Sequence, residues 1–84
     1  MSLLEDPRLR AAVDDAVREL QGAVRRYGPM ASAHEGYAVI LEELDELKAE
    51  VWKSPKKRDM RAMRAEAVQV AAMALRFVCD VCGE

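Results

Sequence analysis

The sequence predicts an all-α domain of three main helices, a helical bundle that self-association completes. Three observations predict it. Apolar residues recur at three- and four-residue steps through most of the chain, the period of a helix rather than of a strand. Glycine, proline and serine punctuate that period at Gly28-Pro29, Ser32 and Ser54-Pro55. The composition is rich in Ala, Leu, Val, Met, Glu and Arg and holds only four aromatic residues (Tyr27, Tyr37, Trp52, Phe77), which suits helix–helix packing. At 84 residues the chain is a single domain. Chains of that size bury only about 60–65 % of their unfolded surface, so the core is marginal, and a metal, a disulfide or assembly with further copies is the usual remedy.

The first helix is expected over 7–26. Asp6 before Pro7 is an N-cap with proline in the first turn, where its missing N–H costs nothing. Leu9, Val13, Ala16, Leu20, Val24 and Tyr27 then mark one face, and Gly28-Pro29 ends the helix. Its other face (Arg10, Asp14, Arg18, Gln21, Arg25) reads as solvated. The second helix is expected over 33–53, opened by the capping box Ser32/Glu35. At ~100° per residue, Tyr37, Ile40, Leu44, Leu47 and Val51 share one narrow stripe, expected to be buried. Glu43, Glu46 and Glu50 run along its edge. His34, in the first turn, reads more simply as an exposed or packed side chain than as a phosphate or partner contact.

The third helix is expected over 55–81, capped by Ser54, with Asp59 before Met60 as the other available start. From Val68 onward it is apolar almost all round, and such a helix is expected to be buried on several sides. Its polar residues Glu66, Gln69, Arg76 and Asp80, with Met73 among them, fall within ~80° of one another. A narrow polar stripe on an otherwise apolar helix points at something polar. The turn before this helix gathers Lys53, Lys56, Lys57 and Arg58, either a solvated loop or a loop facing phosphate.

Several classes are disfavoured. A formal charge of −2 gives no net pull toward nucleic acid. The longest nearly apolar run, Val68–Cys82, is broken by Gln69, Arg76 and Asp80 and is no membrane span. The stretch MSLLEDPRLR has no apolar core of a secretory signal, so a cytoplasmic protein is expected. Cys79 and Cys82 form a CxxC with no second pair, and His34 is far off in sequence. Packing is their simplest role, with an intersubunit zinc or disulfide as the alternative.

The carboxylates carry the chemistry. Like charges three and four apart on a helix repel by a few tenths of a kcal/mol per pair, and a cation between them reverses the sign. Oxygen-only clusters suit Mg²⁺ or Mn²⁺. A buried Glu66 needs a cation, a proton or an arginine. If the second and third helices form an antiparallel hairpin, Glu43 and Glu46 face Glu66 and Gln69, three carboxylates and one amide oxygen around a hard cation.

Glu42-Glu43-Leu44-Asp45-Glu46 reads as EExxE, and Glu66-Ala67-Val68-Gln69 stands where a second motif, ExxD, would follow. The pair, with the phrase HEGYAVILEELDEL, resembles the MazG-like superfamily of all-α NTP pyrophosphohydrolases, which also includes the dimeric dUTPases. The resemblance spans roughly His34–Val81. It implies a self-associating helical bundle, a homodimer or homotetramer, that hydrolyses a nucleoside triphosphate between the α and β phosphates with Mg²⁺ or Mn²⁺. Carried over by motif position, Glu43, Glu46 and Glu66 are metal ligands and catalytic carboxylates. Gln69 replaces the expected Asp, and three readings stay open. Gln69 is a direct or water-mediated ligand; or Asp80 contributes farther along the triphosphate; or catalysis is lost. Arg76, Lys56 and Lys57 are the expected phosphate partners, and Trp52 or Tyr37 the stacking partner for a base. Glu42 and Asp45 lie farther from the apolar stripe and read as solvated. The rival reading is a non-catalytic helical module that binds nucleotide or only assembles.

Overall fold

In a computed structural model, which describes residues 5–83, each helix begins where a side chain takes up its free amides. Asp6 accepts the Arg8 N–H at 2.8 Å, and α1 runs Pro7–Tyr27. Ser32 Oγ accepts the Glu35 N–H at 3.1 Å, and α2 runs Ala33–Val51. Asp59 accepts the N–H groups of Arg61 and Ala62 at 2.9 and 3.3 Å, and α3 runs Met60–Asp80. These three helices, with no strand among the described residues, make the all-α domain the periodicity predicts. Met1–Leu4, part of the stretch read for a secretory signal, and Glu84 lie outside the described residues. No helix among those residues is long and apolar enough to cross a membrane.

Two helix boundaries differ from expectation by two residues or more. α2 stops at Val51 rather than Lys53, and α3 starts at Met60 rather than Pro55. Between them the N–H groups of Lys57 and Arg58 turn back onto the Ser54 carbonyl at 2.8 and 3.1 Å. Arg58 Nε donates to the Val51 carbonyl at 2.9 Å and closes the end of α2. Asp59 satisfies two orphan amides at once, so the helix starts behind it.

α3 is the central element: α1 and α2 each pack on it, and their backbones do not approach one another closely. The buried core is small (Ala16, Met30, Ala72, Met73), with Leu20, Ala23, Val39, Ile40, Phe77 and Val81 packed half-buried around it. α2 comes close to α3 at Gly36, where a Cβ would lie 2.7 Å from Phe77 Cδ2 and 2.9 Å from Met30 Sδ. That approach turns α2. Its inward side carries Gly36, Val39, Ile40, Glu43, Leu47 and Glu50, whereas Tyr37 and Leu44 of the expected stripe are exposed. The inward side is thus rotated by roughly 60° from the predicted one, at ~100° per residue, toward the carboxylates.

The α1–α2 connection is pinned to the far end of α3. Gly28 takes φ 71° to leave α1, a conformation glycine adopts without steric cost. The buried Arg76 donates to the Gly28 carbonyl, and Asp80 accepts the Met30 N–H at 3.0 Å while lying 3.6 Å from Arg76 Nε. The two polar residues at the end of the α3 stripe are therefore spent on a loop. Cys79 and Cys82, expected to pack, are exposed free thiols, because the C-terminal part of α3 is covered only on the sides that meet its two neighbours.

Candidate metal centre

Because the backbones of α1 and α2 stand apart, a cleft of about 350 Å³ opens between them over α3. Glu43 and Glu46, one turn apart on α2, form one wall; Glu66, Gln69 and Met73 of α3 form the floor; Glu19, Ala23, Arg26 and Tyr27 of α1 face them. Gly22 and Ala23 keep the α1 wall low. Glu43, Glu46 and Glu66 each present a carboxylate oxygen within 4.8 Å of the others. A small hard cation sets its ligands at 2.0–2.1 Å, about 3–4 Å from one another, a spacing within reach of these side chains. The antiparallel hairpin thus gathers the three glutamates as the two motifs predict.

The cluster is electrostatically unrelieved. Among the described residues no Lys or Arg forms an ion pair with any of the three. Desolvation, then the charge of Glu46 and its hydrogen bond, push the Glu43 carboxyl up to about 7, with Glu66 and Glu42 adding to the effect. Glu66 is raised too, by desolvation and then by Glu46 and Glu50. A site that holds a proton near neutrality for want of a cation is one where a divalent ion would be favoured.

Gln69 lines the same cleft, so the departure from the ExxD pattern stands beside the glutamates. An amide oxygen there is a possible ligand that adds no charge. Asp80 does not line this cleft; it is held by the Met30 N–H and Arg76. Arg76 borders an adjoining hollow of about 390 Å³ that shares Tyr27 and Glu43 with the cleft, and its guanidinium is engaged by Gly28 and Asp80.

Trp52, Lys56 and Lys57 are exposed at the α2–α3 turn and do not line the cleft. Trp52 borders a separate apolar hollow with Leu44, Leu47 and Val51, and the Lys48 ammonium stands 5.7 Å from its ring centroid. Lys53 pairs with Glu50 at 3.0 Å. Glu42 and Asp45 are exposed, as expected, although Glu42 borders the adjoining hollow. His34 is exposed.

The residues that sequence reasoning missed are on α1. Arg26, its guanidinium 5.8 Å from the Tyr27 ring centroid, is the cation that faces the carboxylates across the cleft, and Tyr27 stands beside it. A signal existed: Glu19, Gly22, Ala23 and Arg26 recur at three- and four-residue steps, a strip of small and charged residues beside the apolar face. No model of a known protein family, no curated protein and no solved structure matches the chain.

Proposed function

We propose that the chain is a Mg²⁺-dependent nucleoside triphosphate pyrophosphohydrolase of the MazG-like all-α type, working as a homodimer or homotetramer. The observation that supports this reading is the triad Glu43, Glu46 and Glu66, three unpaired carboxylates from two helices within 4.8 Å, with Gln69 lining the same cleft. Glu43, Glu46 and Glu66 would hold the metal, with the Gln69 amide oxygen as a fourth donor. When bound, such an ion would supply positive charge that offsets the charge building during phosphoryl transfer.

The chain's own groups do the rest. A carboxylate of the cluster orients water toward the α-phosphorus and takes its proton, leaving monophosphate and pyrophosphate. Arg26, on the opposite wall of the cleft, would meet the phosphates, a role for which Lys56 and Lys57 lie outside the cleft. Tyr27, shared by the cleft and the adjoining hollow, offers a ring face to a base.

The test is pyrophosphate release from a panel of NTPs and dNTPs with Mg²⁺, with Mn²⁺ and with chelator. Metal-dependent release with monophosphate, lost in Glu43→Ala and Glu46→Ala, is the expected result. No release from folded protein across the panel would leave a non-catalytic nucleotide-binding or assembly module, the reading that Gln69 in place of a charged ligand favours.

A further inference from the structure

Trp52 and the basic turn after it lie outside the cleft, and they carry the opposite charge to the rest of the chain. The segment VWKSPKKRDMR, residues 51–61, holds five of the 13 Lys and Arg and one of the 15 Asp and Glu. It is thus +4 in a chain of −2, and the remainder is −6. Lys56, Lys57, Arg58 and Arg61 are exposed and form no ion pair among the described residues. Taken alone, such a run is a solvated loop. The apolar surface beside it sets this one apart.

Trp52, the only tryptophan, is 74 % exposed, and Met60, at the head of α3, is 68 % exposed, whereas both residue types are ordinarily well covered. Trp52 and Val51 form, with Leu44, Leu47 and the Lys48 side chain, a hollow of about 320 Å³ whose walls are mostly apolar, with Asp45 as its one acid. The same two residues meet Arg58 across a second, shallow hollow. The Lys48 ammonium lies over the indole, 5.7 Å from its centroid. Cations therefore flank an exposed indole and an aliphatic wall at one end of the α2–α3 hairpin.

We propose that this end of the hairpin docks on an anionic lipid bilayer. Trp52 and Met60 would settle among the headgroups, the level at which an amphipathic ring is stable. Lys56, Lys57, Arg58 and Arg61 would meet the lipid phosphates and carboxylates, their long stems lying along apolar surface while their charges stay in water. Such contact is peripheral, since no helix among the described residues is long and apolar enough to cross a bilayer. A basic patch or a single shallow apolar anchor holds weakly by itself, and the two together hold firmly. A nucleic-acid strand is the other polyanion to weigh. It is gripped by stacking successive bases on aromatic faces along a charged groove. Here one indole stands at a hairpin end, Lys48 covers one of its faces, and its neighbours are aliphatic. A lipid surface answers both the charge and the aliphatic wall. The inference does not depend on the hydrolase reading.

Trp52 reports on its own surroundings. The chain is titrated with vesicles of equal parts phosphatidylserine and phosphatidylcholine, and with vesicles of phosphatidylcholine alone, and followed by indole emission and flotation. The expected result is a blue-shifted emission and co-flotation with the anionic vesicles only. Salt should weaken both, since it screens charges beyond about 8 Å at physiological strength. Lys56→Gln with Lys57→Gln, two exposed side chains outside the helices, is expected to lower partitioning roughly thirtyfold, at about fivefold per charge. Trp52→Ala should weaken flotation at low and high salt alike, with circular dichroism showing that each variant is folded. Emission unmoved by anionic vesicles, an equal response to neutral ones, or unchanged flotation of the double variant overturns the proposal. Indole quenching by a single-stranded oligothymidylate, with no response to vesicles, overturns it equally and gives the surface to nucleic acid.

Discussion

Glu46→Gln tests the cluster without reference to any substrate. Glu46 is the charged neighbour that raises the carboxyls of both Glu43 and Glu66. At separations within 4.8 Å and the high effective dielectric of an open cleft, one like-charge pair costs about 1 kcal/mol, and relief of the two gives about 1–2 kcal/mol. For a domain of this size that is roughly 4–15 °C in melting temperature. The sign follows from linkage. Below about pH 4.5 Glu43 is protonated folded or unfolded and costs nothing. Between there and about 7 the folded chain keeps a proton that the unfolded chain releases, so stability falls as pH rises, and above about 7 the penalty is full. Thermal melts of metal-free protein at fixed concentration, at pH 5 and pH 8, are the assay. Glu46→Gln is expected to be the more stable protein at pH 8 and nearly equal to wild type at pH 5. Mg²⁺ or Mn²⁺ should stabilise the wild type at pH 8 by about 2.7 kcal/mol at one hundred times Kd, seen as a higher melting temperature, and do far less for the variant. A variant that melts like wild type at pH 8 and responds equally to the divalent ions would refute the electrostatic account of the site.

Three further perturbations address the scaffold. Gly36→Ala gains about 1 kcal/mol of helix propensity but drives a methyl to 2.7 Å from the Phe77 ring, an overpacking of about 1–3 kcal/mol; urea melts should show net destabilisation. Asp59→Ala should cost about 1 kcal/mol by the loss of an N-cap, whereas Ser54→Ala should change little, and the reverse order would place the start of α3 at Pro55. Arg76→Met removes the donor to Gly28 and leaves Asp80 without its buried ion-pair partner, so a loss of about 3 kcal/mol is expected in urea melts, with Asp80→Asn partly offsetting it in the double variant.

Most of the fold was legible because local chemistry decides it. Asp6-Pro7, Ser32 with Glu35, and Gly28-Pro29 each fix a helix end with side chains a few residues away, and the structure keeps all three. The start of α3 was ambiguous because Ser54 and Asp59 are both competent caps, and the choice rests on the turn that folds Lys57 and Arg58 back onto Ser54. The gathering of Glu43, Glu46 and Glu66 was legible as well, since a short connection forces α2 and α3 antiparallel. The rotation of α2 was not: the apolar count favoured Tyr37 and Leu44, and only the tertiary approach at Gly36 brings Glu43 inward. Arg76 looked like part of a polar stripe because its partner, the Gly28 carbonyl, is a backbone group 48 residues away. Such a partner leaves no pattern in side-chain types.

The separation of the α1 and α2 backbones also bears on how the protein breathes. α1 makes the smaller contact with α3, through Leu20, Ala23 and the Arg64–Asp15 ion pair among others, so it is the element that local unfolding releases first, and its amides should exchange with deuterium ahead of those of the α2–α3 hairpin. The three glutamates all ride on that hairpin. Transient departure of α1 would carry Arg26 and Tyr27 away from the cleft and leave the carboxylates together, so any hold on a cation would outlast the hold on whatever the α1 wall helps to grip.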